Sequence, residues 1–241
     1  MSAFPSEFGV DIDGGLDLKI WPVEATDRMN RMYRWQRHIY DGTRRYYLLG
    51  RDQLIENMQA TAGASVLEIG CGTGRNLVQA AKLFPAINLF GIDVSTEMLT
   101  SAIASISRRG LRSRIRVAHG DATAFDPQLL FGVPAFDDVM ISYSLSMIPD
   151  WSRVIDSALR CLKPGGRLHI VDFGQQERLP GVARRLLLRW LKLFDVTPRD
   201  DLEHVLRNIA KTSGADLVFE RPFRGYAQYA VLTLRPGPAR S

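Results

Sequence analysis

The stretch Val66-Leu67-Glu68-Ile69-Gly70-Cys71-Gly72-Thr73-Gly74-Arg75-Asn76 decides how this chain is read. An apolar run carrying one acid enters three glycines at alternate positions, Gly70, Gly72 and Gly74. Glycine accepts positive φ and lets a ligand approach the backbone. SVLEIG (65–70) reads as a buried strand, and RNLVQAAKLF (75–84) as a helix that Pro85 ends. A helix starting near Arg75 aims its first amides at negative charge. The glycines thus clear space for a ligand at the carboxyl end of a strand.

Two common ligands are excluded by spacing. A dinucleotide loop needs G-x-G-x-x-G, and the sixth position here is Arg75. A phosphate-binding G-K-[ST] loop is absent. What remains is E-x-G-x-G-x-G from Glu68 to Gly74. Asp93 ends the next strand, INLFGID (87–93), where an acid suits the two hydroxyls of a ribose. Asp121 and Ala122 follow a third strand, RIRVAHGD (114–121), and a carboxylate there suits an exocyclic amine. Glu68 also has a plainer reading as a strand-edge residue, and Asp93 as a helix-start residue. Loop and acids together describe a nucleoside site with no required pyrophosphate.

Outward from the loop, strands and helices alternate. Ser95 caps a helix with Met98, Leu99, Ala102, Ile103 and Ile106 at helical spacing, ended by Gly110. FDDVMISYSL (136–145) reads as the fourth strand, and Asp150 as the cap of WSRVIDSALRCL. Pro164-Gly165-Gly166 reads as a turn before a fifth strand, RLHIVDFG (167–174). A helix over about 200–213 and two strands, LVFERPF and YAQYAVLTLRP, close the pattern. The expectation is an α/β fold: a doubly wound, mostly parallel, seven-stranded Rossmann-like sheet with N-terminal helices and a C-terminal antiparallel hairpin. Residues 1–23 read as a flexible leader, 24–60 as a helical cap and 61–237 as the main domain, with 175–200 as a lid or membrane-facing insertion.

The composition narrows the class. The chain has 241 residues, 46% hydrophobic and 24% charged, enough for one sizeable core. No run reaches the length of a membrane span, and the N-terminus lacks the form of a signal peptide. A cytoplasmic protein is expected. Cys71 and Cys161 form no C-x-x-C pair, and the four histidines lack ligand spacing, so no metal site is expected. Cys71 reads as a spacer. The net charge of +5 is mild, and its distribution must decide its meaning.

VLEIGCGTG, GIDVS, HGDAT, FDDVMISYSL and LKPGGRLHIVDF, in this order, resemble class I S-adenosylmethionine-dependent methyltransferases. The resemblance spans roughly residues 60 to 235. It implies S-adenosylmethionine as cofactor, with Glu68, Gly70, Gly72 and Gly74 in the loop beside its methionine moiety. It places Asp93, with Val94, at the ribose and Asp121 and Ala122 at the adenine. Ser142 would border the transfer site, with Tyr143 positioning rather than exchanging protons. Methyl transfer chiefly needs alignment, which supplies roughly 7–11 kcal/mol. Deprotonating an amine of pKa about 8 at neutral pH costs only about 1.4 kcal/mol, so no strong base is required. Nucleic-acid amine methyltransferases carry [DNS]-P-P-[YFW] after the fourth strand. Ser142-Tyr143-Ser144-Leu145 departs from that, so no nucleic-acid partner is expected.

Met32 to Ile55 interleaves aromatic residues with arginines. The aromatics read either as a cover for the sheet or as faces for a cation, and the arginines suit a carboxylate. YRWQRHIYDGTR and YYLLGRDQLI resemble the betaine-lipid (BtaB-like) N-methyltransferases, which trimethylate diacylglyceryl-homoserine. That resemblance implies a diacylglycerol-based lipid acceptor and an upstream homoserine-lipid synthase. It assigns Tyr33, Arg44, Arg45, Tyr46 and Arg51 to the acceptor and cofactor pocket, and Tyr40 to a segment closing over the cofactor. Phosphatidylethanolamine and quinone precursors are the rival acceptors, and a non-catalytic scaffold is a third reading.

GVARRLLLRWLKLF (181–194) is the remaining signal. On a helical wheel Val182, Leu186, Leu187, Trp190, Leu191, Leu193 and Phe194 span an apolar arc opposite Arg185, Arg189 and Lys192. It reads as a helix lying on the inner face of the membrane against an anionic surface, or as a lid or dimer contact over the pocket.

Overall fold

The computed structural model describes residues 48–237. Arg51–Glu56 forms a short helix, α1, within the expected 24–60 cap, and the rest of that cap and the 1–23 leader lie outside the described residues. The glycine loop then sits where the sequence places it. Strand β1 (Ser65–Ile69) is buried along its whole length, and helix α2 (Arg75–Leu83) follows the loop. Burying each large apolar side chain of such a strand stabilises by about 1.5–3 kcal/mol.

Two more β-α units follow. Strand β2 (Asn88–Asp93) precedes α3 (Thr96–Arg108), and β3 (Ile115–His119) precedes a short α4 (Pro127–Phe131). Asp126 caps α4 by accepting from the amides of Gln128 and Leu129, a start signal the sequence reading passed over. Strand β4 (Phe136–Ser142), a 3-10 turn (Leu145–Met147) and α5 (Trp151–Arg160) come next. Strand β5 (Leu162–Phe173), α6 (Gly181–Lys192), α7 (Leu202–Ser213), β6 (Asp216–Glu220) and β7 (Ala227–Thr233) complete the described chain.

The seven strands lie in the order β3-β2-β1-β4-β5-β7-β6. All neighbours are parallel up to β5, and β7 then runs antiparallel to both β5 and β6. The strand order reverses between β1 and β4, so the loops after these two strands diverge and leave a crevice. The fold is the expected one. One apolar layer packs α1, α2 and α3 against the sheet, and a second packs α5 and α7 on the other face.

Several local expectations change. β5 begins at Leu162, not Arg167: Leu162 pairs with Phe136, the register slips, and Arg167 resumes opposite Asp138. The Pro-Gly-Gly segment is thus a bulge in the strand, with Gly165 at φ 78°. β6 stops at Glu220, before Pro222 opens the turn into β7. Ser95 caps α3 through a 3.3 Å bond from the Met98 amide, as expected. Asp150 precedes α5 but makes no side-chain cap.

Candidate active site

The crevice at the switch point is a cavity of about 1820 Å³. Glu68, Gly70, Gly72, Asp93, Val94, Asp121, Ala122, Ser142, Tyr143 and Arg51 all face it, so the folded chain gathers residues from four loops at one place.

The loop is built by backbone geometry. Gly70, Gly72 and Gly74 have φ of 73°, 53° and 71°, a region that side-chain-bearing residues rarely adopt. A Cβ on Gly70 would meet Ser144 Cβ at 2.7 Å, and one on Gly74 would meet Ala102 Cβ at 3.2 Å. The amides of Gly70 and Cys71 both donate to the Ile92 carbonyl at 2.9 Å, tying the loop to β2. Gly74 is both the N-cap of α2 and a point where two helices approach.

Asp93 holds the loop as well as facing the cavity. Its Oδ2 accepts from the Gly72 amide and its Oδ1 from the Ser95 amide, both at 2.8 Å. A carboxylate has about four acceptor sites, so bracing the loop is compatible with receiving a ligand hydroxyl. Asp121 accepts from both the amide and the hydroxyl of Thr123 at 2.8 Å, which fixes the turn carrying Ala122. His119 Nε2 donates to the Val94 carbonyl at 3.0 Å and so locks the other end of this rim.

Glu68 is not a strand-edge residue. It is 1% exposed in the central strand, and its Oε1 accepts from Asn76 Nδ2 at 2.7 Å. Burial pushes its carboxyl up to about 8, against the partial opposition of Asn76 and Arg51. Its Oε2 and the Ser142 hydroxyl are buried polar atoms with no hydrogen-bond partner among the described residues. Unpaired buried polar groups are costly, and a polar ligand in the cavity offers both a partner. A cradle too tight for a Cβ, the carboxylate of Asp93 at the end of β2 and these two orphaned oxygens together fit S-adenosylmethionine.

Tyr143 is held by contacts of its own. It sits at φ 55°, is buried, and donates its hydroxyl to the Leu49 carbonyl at 2.5 Å. Its ring meets Phe173 edge-on at 4.6 Å, and burial pushes its phenol well above the usual range. It therefore pins the segment before α1 against the cavity, a positioning role. Cys71 is a buried thiol whose pKa burial raises, consistent with a spacer rather than a nucleophile. Tyr33, Tyr40, Arg44, Arg45 and Tyr46 lie outside the described residues.

The apolar part of the cavity lining was not legible in the sequence. Met98, Met147, Phe173, Trp190, Leu191 and Phe194 belong to it, drawn from four elements and the segment after α6. Arg199 braces one wall, its Nε donating to the Leu145 carbonyl at 3.0 Å and its NH2 to that of Ile148 at 2.7 Å. Asp172 accepts from the amides of Ser146 and Phe173 at 3.1 and 2.7 Å, while its burial raises the carboxyl pKa. No sequence spacing links these residues, although the apolar positions of α6 gave one partial signal.

Known proteins resemble this chain in sequence and in fold. Residues 66–166 match the model of a methyltransferase domain. The matched domain carries the glycine loop, both acids and β4. A demethylmenaquinone methyltransferase of Listeria monocytogenes serotype 4a (strain HCC23) is 29% identical over 156 residues, 64% of this chain and 60% of that protein. One of Geobacillus kaustophilus (strain HTA426) is 30% identical over 150 residues, 62% and 58% of the two chains. This chain thus spans about three fifths of the length of these curated relatives. Phosphoethanolamine N-methyltransferase 2 of Haemonchus contortus, solved with phosphomonomethylethanolamine and S-adenosylhomocysteine, superposes with a TM-score of 0.67. It is 18% identical, over 90% of this chain and 61% of that one. The methyltransferase in a complex with the Haloferax volcanii Trm112 activator gives 0.64 at 17% identity, covering 86% and 99%. At these identities the solved structures establish the methyltransferase-like fold alone.

Proposed function

We propose that this chain is an S-adenosylmethionine-dependent N-methyltransferase that converts diacylglyceryl-homoserine to its trimethylated form. The observation that carries the lipid acceptor is the cavity itself. Gly70, Asp93 and Asp121 line it, and so do the large apolar side chains Met147, Phe173, Trp190 and Phe194. A head group with a bulky apolar portion suits such a wall better than a small polar amine does. The N-terminal likeness to betaine-lipid methyltransferases supports the homoserine head group.

S-adenosylmethionine, when bound, supplies an electrophilic methyl group on a sulfonium. Gly70 and Gly72 offer it close backbone, Asp93 an acceptor for ribose hydroxyls, and Asp121 with Ala122 the edge for adenine. Ser142 and Tyr143 line the cavity beside the loop after β4, and the apolar side chains exclude water from it. The chain's task at the acceptor is to hold an unprotonated amine in line, since alignment rather than proton transfer limits this chemistry.

A second reading has its own support. The curated relatives are demethylmenaquinone methyltransferases, and a quinone precursor with an isoprenoid tail also suits an apolar chamber. Co-expression with a homoserine-lipid synthase, in a host lacking betaine lipids, separates the two. The expected result is a trimethylated homoserine lipid in the extract, lost in Asp93→Ala. That variant removes the brace on Gly72 and Ser95, and its cofactor affinity should fall about tenfold or more, read by calorimetry. Unmethylated homoserine lipid, together with conversion of demethylmenaquinone to menaquinone in a host that lacks its own enzyme for that step, would overturn the first reading in favour of the second.

A further inference from the structure

The inner face of α6 belongs to the cavity, and its outer face has no role in the site described so far. Leu191 is buried, and Trp190 and Phe194 meet edge-on at 5.0 Å beside it. The seven-residue apolar arc expected from the wheel is therefore split by the fold. Leu191 is in the core, and Trp190 and Phe194, with Leu188, pack against it. Val182, Leu186 and Leu193 face out, at 64%, 66% and 75% exposure. At 100° per residue these three fall within one narrow strip, and Arg185, Arg189 and Lys192, all exposed, fall in the strip beside it.

The segment that carries this face is strongly basic. Residues 178–192 hold five basic side chains and no acid, while the rest of the chain balances at 26 of each. Glu177, the acid that precedes it, is occupied by Arg221 at 3.3 Å. No ion pair joins Arg189 or Lys192 to another described residue. Exposed leucines beside a patch of one sign are poor partners for water and good ones for a surface both apolar and anionic.

We infer that the outer face of α6 docks on an anionic lipid bilayer, with Val182, Leu186 and Leu193 entering the interface and Arg185, Arg189 and Lys192 at the head groups. Charge complementarity commits the occupant: a second copy of this chain would set the same cations against each other, whereas an anionic bilayer neutralises them. The helix is too short and too charged to span, so it lies in the plane. Because the same helix walls the apolar chamber, docking puts that chamber at the membrane surface. This deepens the lipid-acceptor reading and rests on it for its purpose, but not for its test.

The test is sedimentation of the full chain with phosphatidylcholine vesicles, with and without phosphatidylglycerol. Binding is expected only with the anionic lipid and should fall as salt rises. The triple change Arg185→Glu, Arg189→Glu, Lys192→Glu should weaken partitioning on the order of a hundredfold, and Leu186→Ser with Leu193→Ser should weaken it on the order of tenfold or more. None of these residues lines the cavity, so cofactor affinity by calorimetry should stay unchanged, which also reports that the variants fold. Equal binding to both vesicle types, or anionic binding unaffected by the charge reversal, would overturn the inference. So would a dimer in light scattering that Leu186→Ser dissolves while vesicles are ignored. Vesicle binding without any methylated homoserine lipid leaves docking standing and removes the acceptor. Methylation with no vesicle binding does the reverse.

Discussion

Glu68 shows how one residue couples the core to the site. Its carboxyl is held neutral by burial, with a pKa near 8 against 4.5 when exposed. A raised acid pKa means the folded state binds the proton more tightly than the unfolded one. The stabilisation is fully present below about pH 4.5 and is lost as pH rises through about 8. The native protein should therefore lose a few kcal/mol of unfolding free energy, roughly, between pH 5 and 8. Glu68→Gln should flatten that slope, because Gln keeps a polar partner for Asn76 but cannot ionise. Urea unfolding at the two pH values checks it, and an unchanged slope would place the titration elsewhere. The sequence singled out Glu68 but not its state. Asn76, which holds it, stands eight positions on, and only the turn of the loop brings the two within 2.7 Å.

At the scale of elements, the loop after β4 is set by what comes much later in the chain. Arg199 reaches back more than fifty positions to the carbonyls of Leu145 and Ile148. Arg199→Met should remove both charged hydrogen bonds and cost about 1.5–3 kcal/mol. The Michaelis constant for the acceptor should rise while cofactor affinity changes little, since the glycine loop is braced independently through Asp93. A matching loss of cofactor affinity would mean that the two halves of the cavity are coupled. Helix α6 carries the parallel lesson. Its periodicity announces a helix with one wide apolar face, because a wheel sees only spacing. The protein divides that face between chamber and surroundings.

Across the whole molecule, rigidity is graded about the switch point. β1 is buried on both faces between β2 and β4, and β5 is buried from Leu168 onward between β4 and β7. Opening their amides requires unfolding most of the sheet. In native-state hydrogen exchange, β1, β4 and β5 should be slowest and should exchange together, with α6 much faster, since among its residues Leu191 alone is buried. Slow exchange throughout α6 would show that it is part of the rigid frame. The frame thus holds β1 and its loop still, while α6, which gives Trp190 and Leu191 to the cavity lining, is anchored more weakly.

The sequence by itself determined the doubly wound sheet, the glycine loop and the two acids after β2 and β3. These depend on local matters: the alternation of elements, backbone torsions that glycine permits, and residues fixed at strand ends by the period of the fold. Only the tertiary structure decided that Glu68 is neutral, that Tyr143 spends its hydroxyl on Leu49, and which side of α6 meets the chamber. Each of those depends on contacts between residues far apart in the chain, where burial and partner choice leave no spacing to read.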